Sequence, residues 1–120
     1  MATSITMADN ADITPYEGEN IDVSWTDTHR DEVGLQAESY INNLVDYDCV
    51  ANWATLTANM KIMLTEYVAR TIAIQGIAFN MDAYTSRIEA EDMINICVWR
   101  LRLIEKILSR VGARKRLGGS

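Results

Sequence analysis

Three carboxylates fall within four positions, at Glu89, Glu91 and Asp92. With Glu66, His29, Cys49 and Cys97 they are the residues whose types could support catalysis or hold a metal. A di-iron site in a helical bundle takes Glu-x-x-His pairs on facing helices. Here the spacing is Glu89-x-x-Asp92, and the single histidine, His29, lies far upstream. Paired-carboxylate hydrolysis needs a second acid held opposite across a cleft, and Glu66 is the only acid between residues 55 and 79. A structural zinc takes about four Cys or His ligands, more than this chain supplies alone. No Gly-x-Ser-x-Gly, phosphate-binding glycine loop or Gly-x-Gly-x-x-Gly occurs. No signature supports His29 and Cys49 as a nucleophile pair. The residues therefore point away from an enzyme and imply no cofactor and no metal.

A helix start accounts for the acidic cluster. Ser86-x-x-Glu89 matches a capping box, in which Glu89 bonds back to the cap residue. Carboxylates in the first two turns stabilise a helix by about 0.3–1 kcal/mol each through the dipole. Arg100, Arg102, Lys106 and Arg110 do the mirror-image work toward the other end. The spacing predicts a helix over 86–110, with Ala90, Ile94, Cys97, Leu101, Ile104 and Leu108 on its core stripe, widened by Met93, Val98 and Ile107. Gly112 is expected to stop it.

Two more helices precede it. Residues 55–79 are apolar nearly all round, from Leu56 to Ile74, which places them at the centre of a bundle or in an assembly that buries both faces. Thr55 or Thr57 is the expected cap. Residues 28–45 carry Val33, Ala37, Tyr40, Ile41, Leu44 and Val45 on one face, with Asp27 or Thr28 as cap. Upstream, Ile21, Val23 and Trp25 alternate with polar residues at the period of a short strand. The first 20 residues are acidic and without period. They read as an extended arm.

The division is therefore an N-terminal arm with a short strand over 1–27, a helical bundle over 28–110 and a basic tail over 111–120. The fold class is all-α, a small bundle of three to four helices with an extended arm and a C-terminal tail. The 120 residues suit one domain. Two scattered cysteines read as buried small hydrophobes in a reducing compartment. No signal peptide is visible, and charges within 60–81 argue against a membrane span.

The formal charge of −6 is unevenly spread. Residues 1–48 hold eleven acids and one base, whereas 100–116 hold seven bases and one acid. Opposite poles favour head-to-tail contacts with copies or with a neighbour of mixed charge. The acidic balance argues against a dedicated DNA reader. A small regulatory or nucleic-acid-associated protein working through the basic tail is the alternative.

The order is an acidic arm, "DEVGLQAESYINNLV", the buried helix "MKIMLTEYVARTIAIQGIAF", a polar turn and "SRIEAEDMINICVWRLRLIEKIL". It resembles the small helical head–tail connector, or adaptor, proteins of tailed bacteriophages, over residues 28–110. The resemblance implies a structural virion protein of the neck, assembled in the host cytoplasm. It implies a homo-oligomeric ring, typically of twelve subunits, beneath the portal protein. That ring carries tail-side components and extends a channel through which DNA passes unread. By position and charge, Arg110, Arg114, Lys115, Arg116 and Leu117 would dock on the portal. Ile21, Val23, Trp25 and Trp99 would make subunit contacts.

Overall fold

The structure, a computed structural model, describes residues 5–18, 21–79 and 87–118, with side chains given from 88 to 110 in the last helix. Four α-helices follow one another: α1 (Asn10–Glu17), α2 (Asp27–Val45), α3 (Ala58–Phe79) and α4 (Arg87–Gly118). A single 3-10 turn, Trp53–Thr55, links α2 to α3. The all-α bundle expected from the sequence is what the chain forms. Among the described residues no helix is long and apolar enough to cross a membrane.

α3 is the hub, since α1, α2 and α4 all pack against it. It buries Leu64, Tyr67, Val68, Ala69, Ile72, Ala73, Gly76 and Ile77, an arc too wide for one neighbour to cover. Burying a side chain such as Leu64 or Ile72 is worth roughly 1.5–3 kcal/mol. The Thr57 hydroxyl accepts the Met60 N–H at 3.2 Å, which makes Thr57 the cap. α2 begins one residue earlier than expected. Thr26 is its cap, and His29 Nδ1 accepts the Thr26 N–H at 3.1 Å, the role usually played by a glutamate. It ends at Asp46, whose φ of 55° is left-handed, a conformation that a short polar side chain tolerates.

The N-terminal region departs from an extended arm. Asp9 and Asp12 form a reciprocal capping box that opens α1, and Gly18, at φ 80°, closes it. Pro15 removes an internal bond from this short helix, so its stability comes from packing. Ile13 has no exposed surface. Residues 5–8 are also part of the core, with Ile5, Met7 and Ala8 buried. The Glu38 carboxylate accepts the N–H groups of Thr6 at 2.6 Å and Met7 at 2.7 Å, and the Thr65 hydroxyl donates to the Met7 carbonyl at 2.7 Å. Gly34 leaves the notch that Ile5 fills: a Cβ there would lie 2.7 Å from the Ile5 side chain.

The expected strand is absent as well. Asp22 Oδ1 accepts the Ser24 N–H at 2.7 Å and the Asp22 carbonyl accepts the Trp25 N–H at 3.0 Å, so "NIDVSW" is a turn. α4 runs on through Gly112 to Gly118. An interior glycine costs a helix about 1 kcal/mol without ending it. At about 1.5 Å per residue α4 alone accounts for the 47 Å long dimension of the molecule. Ser86, the expected cap, lies outside the described residues.

Gly76 lets Trp25 dock flat on α3, since a Cβ there would sit 2.6 Å from the indole Nε1 and 2.9 Å from Cε2. Gly76→Ala should therefore destabilise the fold by about 1–3 kcal/mol, although alanine favours a helix by about 1 kcal/mol. Urea unfolding measures the change; a neutral or stabilised variant would contradict this seating of Trp25.

Candidate functional site

Two of the acids that packing places inside the bundle, Glu17 and Glu66, are held by arginines. Glu17 has no exposed surface. Its Oε1 accepts Arg30 Nη2 at 2.8 Å, and its Oε2 accepts Arg30 Nε at 3.0 Å and the Trp25 indole N–H at 2.8 Å. Arg30 also reaches Asp27 at 3.1 Å. Glu66, on α3, accepts Arg100 Nη2 on Oε1 at 2.8 Å, and on Oε2 both Arg100 Nε and Arg70 Nε at 2.7 Å. Arg100's hydrogen bonds to Glu66 hold that carboxyl below the ordinary value of 4.5, against the opposing effect of burial, with Arg70 adding to the shift. Arg70 in turn lies over the Tyr16 ring at 4.3 Å. Glu38 behaves oppositely, since burial pushes its carboxyl up even though two backbone N–H groups bind it.

Of the candidate chemical residues, Glu66 and Cys97 are bridged by Arg70, whose Nη1 donates to the Cys97 sulfur at 3.6 Å, and the others lie apart. His29 stacks on Trp25 at 5.2 Å at one end of α2, while Cys49 lies beyond the other end. Cys49 and Cys97 are free and buried, and burial raises both thiols above their ordinary value. Glu91 and Asp92 are exposed on the first turns of α4 and Glu89 is half-buried. Among the described residues no group of three His, Cys, Asp or Glu side chains is arranged to hold a metal ion. The Tyr67 hydroxyl donates to Glu105 at 2.7 Å, and burial, then Glu105, pushes its ionisation far above the usual range.

What remains available is the outer surface of α4. Its core stripe runs through Ala90, Cys97, Ile104 and Leu108. A second apolar stripe, Ile96, Trp99, Leu103 and Ile107, repeats at steps of three and four on a different face. Ile96 is 59%, Trp99 61% and Ile107 43% exposed, far more than apolar residues inside a bundle. Ile62 of α3, 68% exposed, joins them. A groove of about 420 Å³ runs between α3 and α4 here, lined by Asn59, Ile62, Met63, Leu103, Ile107 and Arg110 among others. Lys106 and Arg110 are exposed at its rim, and among the described residues neither takes an ion-pair partner within the chain.

The residues expected to make subunit contacts separate into two groups. Trp25 is buried in its own chain against Glu17, His29 and Phe79, which takes it away from the outer surface, whereas Ile21 is half-buried against the same core. Val23 and Trp99 are exposed. Arg110 lies on the outer face of α4. The side chains of Arg114, Lys115, Arg116 and Leu117 lie outside the described residues, although the backbone carrying them is helical rather than a trailing tail. Sequence reasoning placed Trp99 off the core stripe but did not connect it with Ile96, Leu103 and Ile107. Their spacing carried that signal.

No protein-family model matches the chain, and neither does a curated protein or a solved structure.

Because Glu66 has a lowered carboxyl, its pairing stabilises the fold above pH 4.5 and that contribution disappears as pH falls through the lowered value. Glu66→Gln should lose about 1–3 kcal/mol at pH 7. The difference from the parent should shrink steadily below pH 4.5 in chemical-denaturation curves taken across pH. A difference independent of pH would contradict the assigned ion pairs.

Proposed function

We propose that this chain is a structural virion protein, a head–tail adaptor that assembles as a ring under a portal protein and lengthens the DNA channel toward the tail. The observation carrying the reading is the free apolar stripe of α4, Ile96, Trp99, Leu103 and Ile107, beside Ile62. A small monomer that exposes an organised stripe of large side chains has a partner to cover it. The charge distribution supports the same reading. The first 48 residues are acidic and the 100–116 segment is basic, a pattern suited to charge-matched contacts with a partner. Buried acids tied to arginines, as Glu17 is to Arg30, fit a rigid scaffold. The likeness in helix order and style to phage adaptors adds the location, the virion neck, and the neighbours, portal and tail-side proteins. The basic end of α4, from Arg110 through Leu117, is the portal-docking element in this reading.

A second reading has one observation in its favour, the seven bases and one acid of 100–116, which lie along a single helix. On that reading the chain binds nucleic acid through phosphate contacts.

Native mass spectrometry of the chain mixed with the portal ring of its own virion separates the two. The adaptor reading expects stoichiometric binding to the ring that is lost when Arg110, Arg114, Lys115 and Arg116 are replaced together by alanine. No association at any ratio would refute it. Salt-sensitive binding to duplex DNA in the absence of a portal would favour the second reading.

A further inference from the structure

The stripe on α4 has a symmetry of its own. Asp92, Ile96, Trp99, Leu103, Lys106 and Arg110 follow one another at steps of four, three, four, three and four, the spacing of a coiled-coil seam. Residue 101 is its midpoint. Asp92 and Arg110 stand equally far from that point, as do Ile96 and Lys106, and Trp99 and Leu103. Read backwards, the stripe keeps its apolar centre and exchanges an acid for a base at its ends. All six side chains are at least partly exposed. Asp92 and Arg110 have no ion-pair partner among the described residues.

We propose that two copies of this chain pair through these stripes, α4 against α4, antiparallel about a two-fold axis at the level of Leu101. In that arrangement Asp92 of each copy meets Arg110 of the other, so the charged contact is made twice. Trp99 of each copy lies opposite Leu103 of the other, beside the groove of about 420 Å³ bordered by Ile62, Leu103 and Ile107. That groove combines apolar side chains with Lys106, Arg110 and Arg100, the last already paired with Glu66 in the same lining, and so offers an indole both apolar surface and free cations. Ile96 packs along the aliphatic stem of Lys106, whose ammonium stays in water. A parallel pair is disfavoured, because it would set Asp92 on Asp92, Lys106 on Lys106 and Arg110 on Arg110. An unrelated acidic helix could satisfy the cations, but it would leave Asp92 facing like charge.

The pairing rests on α4 alone and does not depend on the adaptor reading. In an adaptor it covers the sticky face of the free subunit, and docking on a portal ring replaces the second copy. Free chains then pair two by two and do not assemble further through this face away from the ring.

Sedimentation velocity of the full chain across concentration tests the proposal. The parent should run as a reversible dimer, with Trp99 emission shifting to the blue as it forms. Asp92→Arg and Arg110→Asp should each weaken the dimer about tenfold or more by juxtaposing like charges twice. The D92R/R110D double variant should return to within about threefold of the parent, because the reversed pairs are complementary again. Both positions are solvent-exposed, and circular dichroism of each variant verifies that the helices persist. If either variant is misfolded, Trp99→Ala replaces it in the comparison and should abolish the dimer. A chain that stays monomeric to about 100 µM overturns the proposal. A dimer indifferent to the single reversals, or one not restored by the double reversal, overturns it equally. Binding of monomers to a portal ring would leave the adaptor reading standing in each of those cases.

Discussion

α3 has almost no side that tolerates water, and the rest of the fold is arranged around that constraint. Two packed helices leave part of such a rod uncovered. The chain closes the gap with α1 and with residues 5–8, which sequence pattern alone would leave in solvent. Bringing irregular backbone into a core requires partners for its N–H and C=O groups. Glu38 and Thr65 supply them, with two N–H groups of Thr6 and Met7 on one carboxylate and the Met7 carbonyl on the hydroxyl. The raised carboxyl of Glu38 records the cost of keeping that anchor away from water. Gly34 and Gly76 serve the same end sterically, one giving room to Ile5 and the other to Trp25.

The same constraint explains where the charged residues went. A carboxylate under a helical layer is tolerated when its hydrogen bonds are complete, and removing one partner strands the other. Glu17 meets this condition with Arg30 and Trp25, Glu66 with Arg70 and Arg100. Each network ties distant segments together: Glu17 joins α1 to α2 and to the turn before it, and Glu66 joins α3 to α4. Their oxygens are occupied by cations of the same chain. The acidity of Glu17 and Glu66 thus serves to hold segments in register.

How much of this could be read from the sequence depended on the range of the forces involved. α2 and α3 were legible because their apolar periodicity runs over several turns, and Thr57 was legible as a cap because capping is local. α1 was missed. It is short, contains Pro15 and gains its stability from contacts with α3 far along the chain, although Asp9-x-x-Asp12 was a local sign of its start. The Ile21–Val23–Trp25 alternation suggested a strand, yet a turn at Asp22 sends Val23 to solvent and Trp25 to the core. Gly112 was read as a stop on propensity, a preference of about 1 kcal/mol that a long helix outweighs. Of the candidate surface, Trp99 was visible because it falls off the core stripe. Ile107 was assigned to that stripe, and Ile96 was left without a place. Once six residues at steps of three and four had satisfied the core, the second set at the same period was overlooked.

α4 shows why a second set matters. A helix that packs on one side needs a single apolar stripe, and a second one raises the free energy of the lone chain in water. Its charge gradient, acids first and bases last, already follows from the helix dipole. Two helices with that gradient, laid antiparallel, are matched end to end for the same reason each is stable alone. Charge therefore orients such a pair without making it specific. Specificity must come from the apolar residues, and in α4 these are Trp99 and Leu103, placed symmetrically about residue 101 beside a groove of about 420 Å³. Bulk and cavity on one surface, at the spacing a two-fold axis requires, are properties that helix stability does not demand.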